Sequence, residues 1–159
     1  MSDTRLGLIL WTTDITALGG FLTEVANARL IEQHPGFARL DLGGAEISLH
    51  ADEADPGHPW YDALQDEGIT RGIGAELRLR VDDVVATHAL AEAAGAVTVM
   101  EPYDAGIARE CQVMGPDGYL FTLWQPASDD LPPIVPSQRG RRSAFGRIPV
   151  SRNTVVRRR

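Results

Sequence analysis

Residues 109–125 read Arg-Glu-Cys-Gln-Val-Met-Gly-Pro-Asp-Gly-Tyr-Leu-Phe-Thr-Leu-Trp-Gln. Two strand-like stretches, 107–114 and 119–125, flank Gly115-Pro116-Asp117-Gly118, where the glycines tolerate positive φ and the proline presets a turn. The pattern predicts a β-hairpin. Immediately upstream, Ala75 to Val81 alternate so that Leu77, Leu79 and Val81 share one face of a strand. Asp82-Asp83 supplies a helix N-cap. Val84, Leu90, Ala91 and Ala94 read as the inward side of that helix, and Gly95 stops it. With a further strand near 96–101, residues 75–126 run β-α-β-β-β.

The first half follows the same order. A short apolar strand over 7–13 leads to Asp14, another N-cap, after which Ile15, Leu18, Phe21, Leu22 and Val25 recur at helical spacing. Gly19 and Gly20 weaken this helix by about 1 kcal/mol each. Strands follow near 27–33, 37–42 and 45–50, the last two joined by Gly43-Gly44. The capping acids Asp14 and Asp83 lie 69 residues apart, so two copies of one unit, about 5–50 and 75–126, account for the chain. The connector, 51–74, is rich in Asp, Gly and Pro, with a short amphipathic piece from Trp60 to Leu64. Its acidic run, Asp52-Glu53-Ala54-Asp55, lacks the spacing of a calcium loop and reads as a solvated turn. The expected fold is α+β: a domain over 1–130 in which two β-α-β-β-β units form a concave cavity with helices outside. Residues 131–159, proline-bearing and then arginine-rich, are expected to be an extended or disordered tail.

Charge is unevenly spread over the 159 residues. All 15 basic residues are Arg. Residues 1–130 hold 7 Arg against 22 acids, a net charge of −15, whereas the remainder holds 8 Arg and no acid. An acidic body favours cationic ligands and repels nucleic acid. No apolar run approaches the ~18 residues of a membrane helix, and the first residues lack a signal-peptide core, so a cytoplasmic, membrane-free protein is expected. The single cysteine, Cys111, excludes an internal disulfide and reads as a buried, inert thiol. No phosphate-cradling glycine loop or Ser-His-Asp arrangement is found.

The duplicated units, with Val-Asp-Asp-Val (81–84) before the second helix and the closing hairpin 109–125, resemble the vicinal oxygen chelate superfamily over about residues 5–126. That group includes glyoxalase I, ring-cleaving dioxygenases and bleomycin-resistance proteins. The resemblance implies metal ligands on the first and last strand of each unit, at Gly7, Ser48, Glu76 and Thr122. Glycine has no side chain, and Ser and Thr hydroxyls are poor ligands beside His and carboxylate, so only Glu76 fits. A register shift by two residues helps only where Glu46 and His50 flank Ser48. No metal or other cofactor is therefore expected.

The face that remains carries Trp11, Glu46, Ser48, His50, Glu76, Arg78, Thr122 and Trp124, with Trp60 and Tyr103 read at its mouth. Trp11 and Trp124, read as lying on equivalent outer strands, are either core or ligand walls. Glu76 is a base, a cation anchor or a partner of Arg78 or Arg80. His50 reads as a solvated rim residue, and His34, His58 and His88 as surface residues. The leading expectation is a metal-independent protein that sequesters a cationic or aromatic small molecule, an antibiotic among the candidates, like the bleomycin-resistance branch. The alternative is a glyoxalase-like lyase, isomerase or dioxygenase using Glu76 with a reduced metal site. One unit leaves half of its cavity open, so two must combine, within one chain or across a dimer, and a homodimer is expected.

The few large apolar residues of the tail show no helical or strand period. A chain truncated after Asp130 should therefore fold and bind as the full chain does, and chemical denaturation checks this. A loss above ~2 kcal/mol would make the tail structural.

Overall fold

Two aspartates start the two long helices. Asp14 accepts the Ala17 N–H at the head of α1 (Ile15–Ala26), and Asp83 accepts the Val85 and Ala86 N–H groups at the head of α3 (Val84–Ala93). Both satisfy donors that a helix start leaves unpaired. A computed structural model describes residues 6–66 and 71–134. The tail expectations for 135–159 lie outside the described residues.

Around α1 lie β1 (Gly7–Thr12), β2 (Arg29–His34), β3 (Phe37–Leu42) and β4 (Ala45–Ala51). After the short α2 (Tyr61–Leu64), the second unit adds β5 (Leu77–Arg80), β6 (Val97–Asp104), β7 (Ala108–Met114) and β8 (Leu120–Pro126) around α3. Each unit forms one four-stranded sheet, ordered β1-β4-β3-β2 and β5-β8-β7-β6. The first and last strands of each unit pair in parallel, and the other neighbours are antiparallel. The fold is α+β with two β-α-β-β-β units, as the alternation predicts. The two sheets are not closed into a barrel, and no described strand of one sheet pairs with a strand of the other.

The core lies between the helices and the inner sheet faces. Leu10, Ile47 and Leu49 from the first sheet, and Leu79, Cys111, Val113, Phe121 and Leu123 from the second, join Leu18, Phe21, Leu22, Val84 and Ala91 in one buried cluster. Phe21 of α1 meets Phe121 of β8 with ring centroids 5.1 Å apart, so one core serves both units.

Three expectations are corrected. On α3 the buried set is Val84, Thr87, His88 and Ala91, while Leu90 is 53 % exposed. Alanine-rich spacing fits more than one helical face, and packing selects the one that reaches the sheet. His88 is not a surface residue: it is buried, with Nε2 2.8 Å from Thr98 Oγ1. Thr98 donates its hydroxyl proton to Glu92, so His88 Nε2 is the donor, and the contact ties α3 to β6. Asp52 is not solvated either. It is buried and ion-paired with buried Arg71, whose Nη1 donates to Asp52 Oδ1 at 2.8 Å.

Arg71 also lies 3.7 Å from Asp117 of the closing hairpin. Burial works against its charge, but the two carboxylates more than offset that and hold its pKa above the usual arginine value. Asp117, at φ 55, accepts the Thr12 hydroxyl, the Thr13 hydroxyl at 2.7 Å and the Thr13 N–H at 3.2 Å. Tyr119 donates to the Trp11 carbonyl at 2.8 Å. The turn of the second unit thus grips the end of the first strand. Gly72 completes the join, because a Cβ there would stand 2.8 Å from the Tyr119 ring. Arg71→Met keeps the bulk but leaves two buried carboxylates without their cation. It should cost about 3–5 kcal/mol in a urea titration, and a loss below 1 kcal/mol would show the network to be dispensable.

Candidate functional site

Side chains alternate along a strand, so packing one face of each sheet under its helix turns the alternate side chains away from the core. On the first sheet the open face carries Ile9, Trp11, Phe37, Arg39, Asp41, Glu46, Ser48 and His50. Register aligns them in rows: Phe37 opposite His50 opposite Trp11, then Arg39, Ser48 and Ile9, then Asp41, Glu46 and Gly7. The first row is aromatic throughout. Phe37 meets His50 edge-on at 5.3 Å, and His50 meets Trp11 at 5.2 Å. His58, from the connector, lies 4.6 Å from Trp11, and Trp60 lies 5.2 Å from His58. Five rings thus run in sequence from β3 to the connector. His50 is a middle member of that row, half-buried rather than a solvated rim residue. Trp11 is only 6 % exposed, and Trp60, the outer ring, is 61 % exposed.

The second open face is polar. Its rows are Glu110, Trp124 and Arg80, then Gln112, Thr122 and Arg78. Arg78 pairs with Glu110 and places its guanidinium 4.5 Å from the Trp124 ring centre, with Arg80 at 5.9 Å. Tyr103 donates to Glu110 at 3.2 Å, and burial, then the bond to Glu110, raises its pKa above the ordinary phenol value. Glu76 pairs with neither Arg78 nor Arg80. One of its oxygens accepts the Thr122 hydroxyl and the Gln112 amide, the latter at 3.2 Å.

Sequence alternation puts the candidates on a single face, but the structure divides them: Trp11, Glu46, Ser48 and His50 lie on the first open face, and Glu76, Arg78, Tyr103, Thr122 and Trp124 on the second. Alternation also mispairs the tryptophans. Trp124 lies on an inner strand whose counterpart residue is His50, and the counterpart of Trp11 is Arg80. Phe37 and His58 are missed: Phe37 was legible as the start of an alternating strand, whereas His58 has no local signal. Two open hollows, of about 490 and 590 Å³, lie elsewhere, against loops 104–109 with 127–133 and 13–16 with 33–36. They have no Phe, Tyr or Trp in their walls, and the two sheet faces are the better candidates.

No family model matches the chain, and no curated protein matches it. Solved structures do. A glyoxalase/bleomycin resistance protein/dioxygenase family enzyme from Burkholderia phytofirmans PsJN is 23 % identical, covering 74 % of this chain and 94 % of its own, with a TM-score of 0.61. A glyoxalase/bleomycin resistance protein/dioxygenase from Nocardioides is 21 % identical, covering 86 % and 91 %, with a TM-score of 0.59. The protein TioX from Micromonospora sp. ML1 is 21 % identical, covering 79 % and 100 %, with a TM-score of 0.57. The chain has the vicinal oxygen chelate fold.

The metal positions of that fold fall, by the resemblance, at Gly7, Ser48, Glu76 and Thr122, and the residues do not fit a metal. Gly7 has no side chain to ligate a metal, and Thr122 gives its hydroxyl proton to Glu76. No group of three or more His, Cys, Asp or Glu among the described residues can hold an ion. No described helix is long and apolar enough to cross a membrane.

Cys111 faces the core, and burial pushes its thiol up to about 12. The thiol of the unfolded chain ionises near 8.5, so the raised folded value adds stability that is complete below that pH and is lost as pH rises towards 12. Iodoacetamide at pH 8.5 should label the folded chain far more slowly than the urea-unfolded chain. Equal rates would place the thiol in solvent.

Proposed function

We propose that this protein is a metal-independent binding protein for a flat, aromatic, positively charged small molecule, an antibiotic among the candidates, in the manner of the bleomycin-resistance branch of its fold. The row Phe37–His50–Trp11 carries the reading. Ring faces attract cations and flat π-systems, and Glu46 stands four residues along β4 from His50, roughly 13 Å at 3.3 Å per residue. A ligand with a planar cationic end and a polar extension matches that spacing. The −15 charge of residues 1–130 raises encounter rates with cations and is screened by salt. The names of the similar structures span enzymes and resistance proteins, so the reading rests on the face itself.

A second copy of the chain completes the site. Within one chain the two open faces belong to separate sheets, and the β1 strand, paired on one side only, leaves Leu8 and Ile9 exposed. A partner laid along that edge would cover this apolar surface and close the ring row against its own open face. Light scattering at micromolar concentration should give a dimer, and a strict monomer would remove this part of the proposal. The rival reading is a lyase, isomerase or dioxygenase with Glu76 as base. One observation favours it, namely that Glu76 is exposed on the open face, as a base must be.

N-methylacridinium should raise the melting temperature and anthracene-9-carboxylate, an anion of similar outline, should not. At 100 times Kd the gain is roughly 2.7 kcal/mol. Trp11→Ala should weaken acridinium binding at least tenfold. Equal stabilisation by the anion would overturn the charge preference. Stoichiometric iron, nickel, manganese or zinc after chelator-free purification, with an activity lost on chelation, would establish the enzyme instead.

A further inference from the structure

The least exposed ring of the proposed wall is the one a ligand most needs. Trp11 lies on the sheet face turned away from core residue Leu10, yet it is 6 % exposed, and the ring nearest to it is the imidazole of His58 at 4.6 Å. His58 belongs to the connector, not to the sheet. We infer that residues 53–60 form a strap whose His58, tilted 47° to the Trp11 ring, occupies the place of a ligand ring there, so that binding requires the strap to be displaced. This deepens the binding reading above and rests on it.

The anchoring of the strap supports the inference. At one end Asp52 is locked to Arg71, and the Gln65 amide donates to the Asp52 carbonyl at 3.3 Å. At the other end Leu64 is buried. Between these fixed points the described hydrogen bonds are local: Ala54 N–H to the Ala51 carbonyl, His58 N–H to the Asp55 carbonyl, Gly57 N–H to Asp55 Oδ1, and Tyr61 N–H to the His58 carbonyl. Trp60 N–H donates to His58 Nδ1 at 3.2 Å, which fixes the imidazole within the strap itself. Glu53 to Gly57, Pro59 and Trp60 are exposed. The segment can therefore move as one piece about two buried ends, keeping its internal bonds and giving up chiefly the His58–Trp11 contact. Ala54 also comes close to Gly36 of the first unit, where a Cβ would stand 3.4 Å away.

A ligand that must first open the strap binds with a Kd raised in proportion to the closed population. Acridinium binding to the full chain should be measured by calorimetry for the parent, His58→Ala and His58→Phe. His58→Ala removes the competing ring and should tighten binding about tenfold, equivalent to ~1.4 kcal/mol. His58→Phe keeps a ring on Trp11 and should not tighten it. An unchanged or weaker Kd in a folded His58→Ala chain overturns the strap and leaves the binding reading intact. If acridinium binds none of the three, the binding reading itself fails. Hydrogen exchange of the unmutated chain tests the strap without any substitution: acridinium should speed exchange over 53–60, and unchanged or slower exchange overturns the inference.

Discussion

A single carboxylate, that of Asp117, decides how the two halves of the chain are held. Its turn presents it at a left-handed φ, and its side chain is almost wholly out of water. An isolated charge there would cost several kcal/mol. Two threonine hydroxyls, one backbone N–H and the nearby Arg71 remove that penalty, and Arg71 is in turn held by Asp52. The cluster joins the end of β1, the start of the connector and the closing hairpin. Tyr119, two residues beyond Asp117, pins the Trp11 carbonyl. The position of the aromatic row thus depends on a polar join made on the other side of the same strand end.

That join was invisible in the sequence for a physical reason. Thr12 and Asp117 are 105 residues apart, and neither carries a local signal that the other exists. Asp52 sits in an acidic run that, taken alone, belongs in water. Alternation and turn chemistry are local properties, and they were enough to place the hairpin 107–125, both capping aspartates and the strand over 37–42, which is β3 to the residue. The inward face of α3 was less legible because alanine satisfies a buried or an exposed position, and the choice between Leu90 and His88 is made by β6.

The candidate site was legible to the extent that strand parity is. Parity separates Trp11, His50, Thr122 and Trp124 from the core-facing residues of their strands, but it merges the faces of two sheets into one. It does not tell which strands are neighbours, and the parallel pairing of first and last strands reassigns the tryptophans. The duplicated units are alike in backbone and different in chemistry: where one sheet has Phe37, His50 and Trp11 in a row, the other has Glu110, Trp124 and Arg80. One wall is built of rings, its counterpart of an ion pair laid on a ring.

The parallel pairing also fixes an order of events during synthesis. β1 hydrogen-bonds to β4, so the first strand made in each unit waits for the last before its sheet is complete, and such non-local pairing is slow to form. The first unit closes when Ala51 has left the ribosome, but Phe21 on its helix is packed against Phe121, seventy residues further on. For that interval a nascent chain carries a finished sheet with an uncovered apolar helix face. It is this half-made species, rather than the finished fold, that a cell must keep from aggregating.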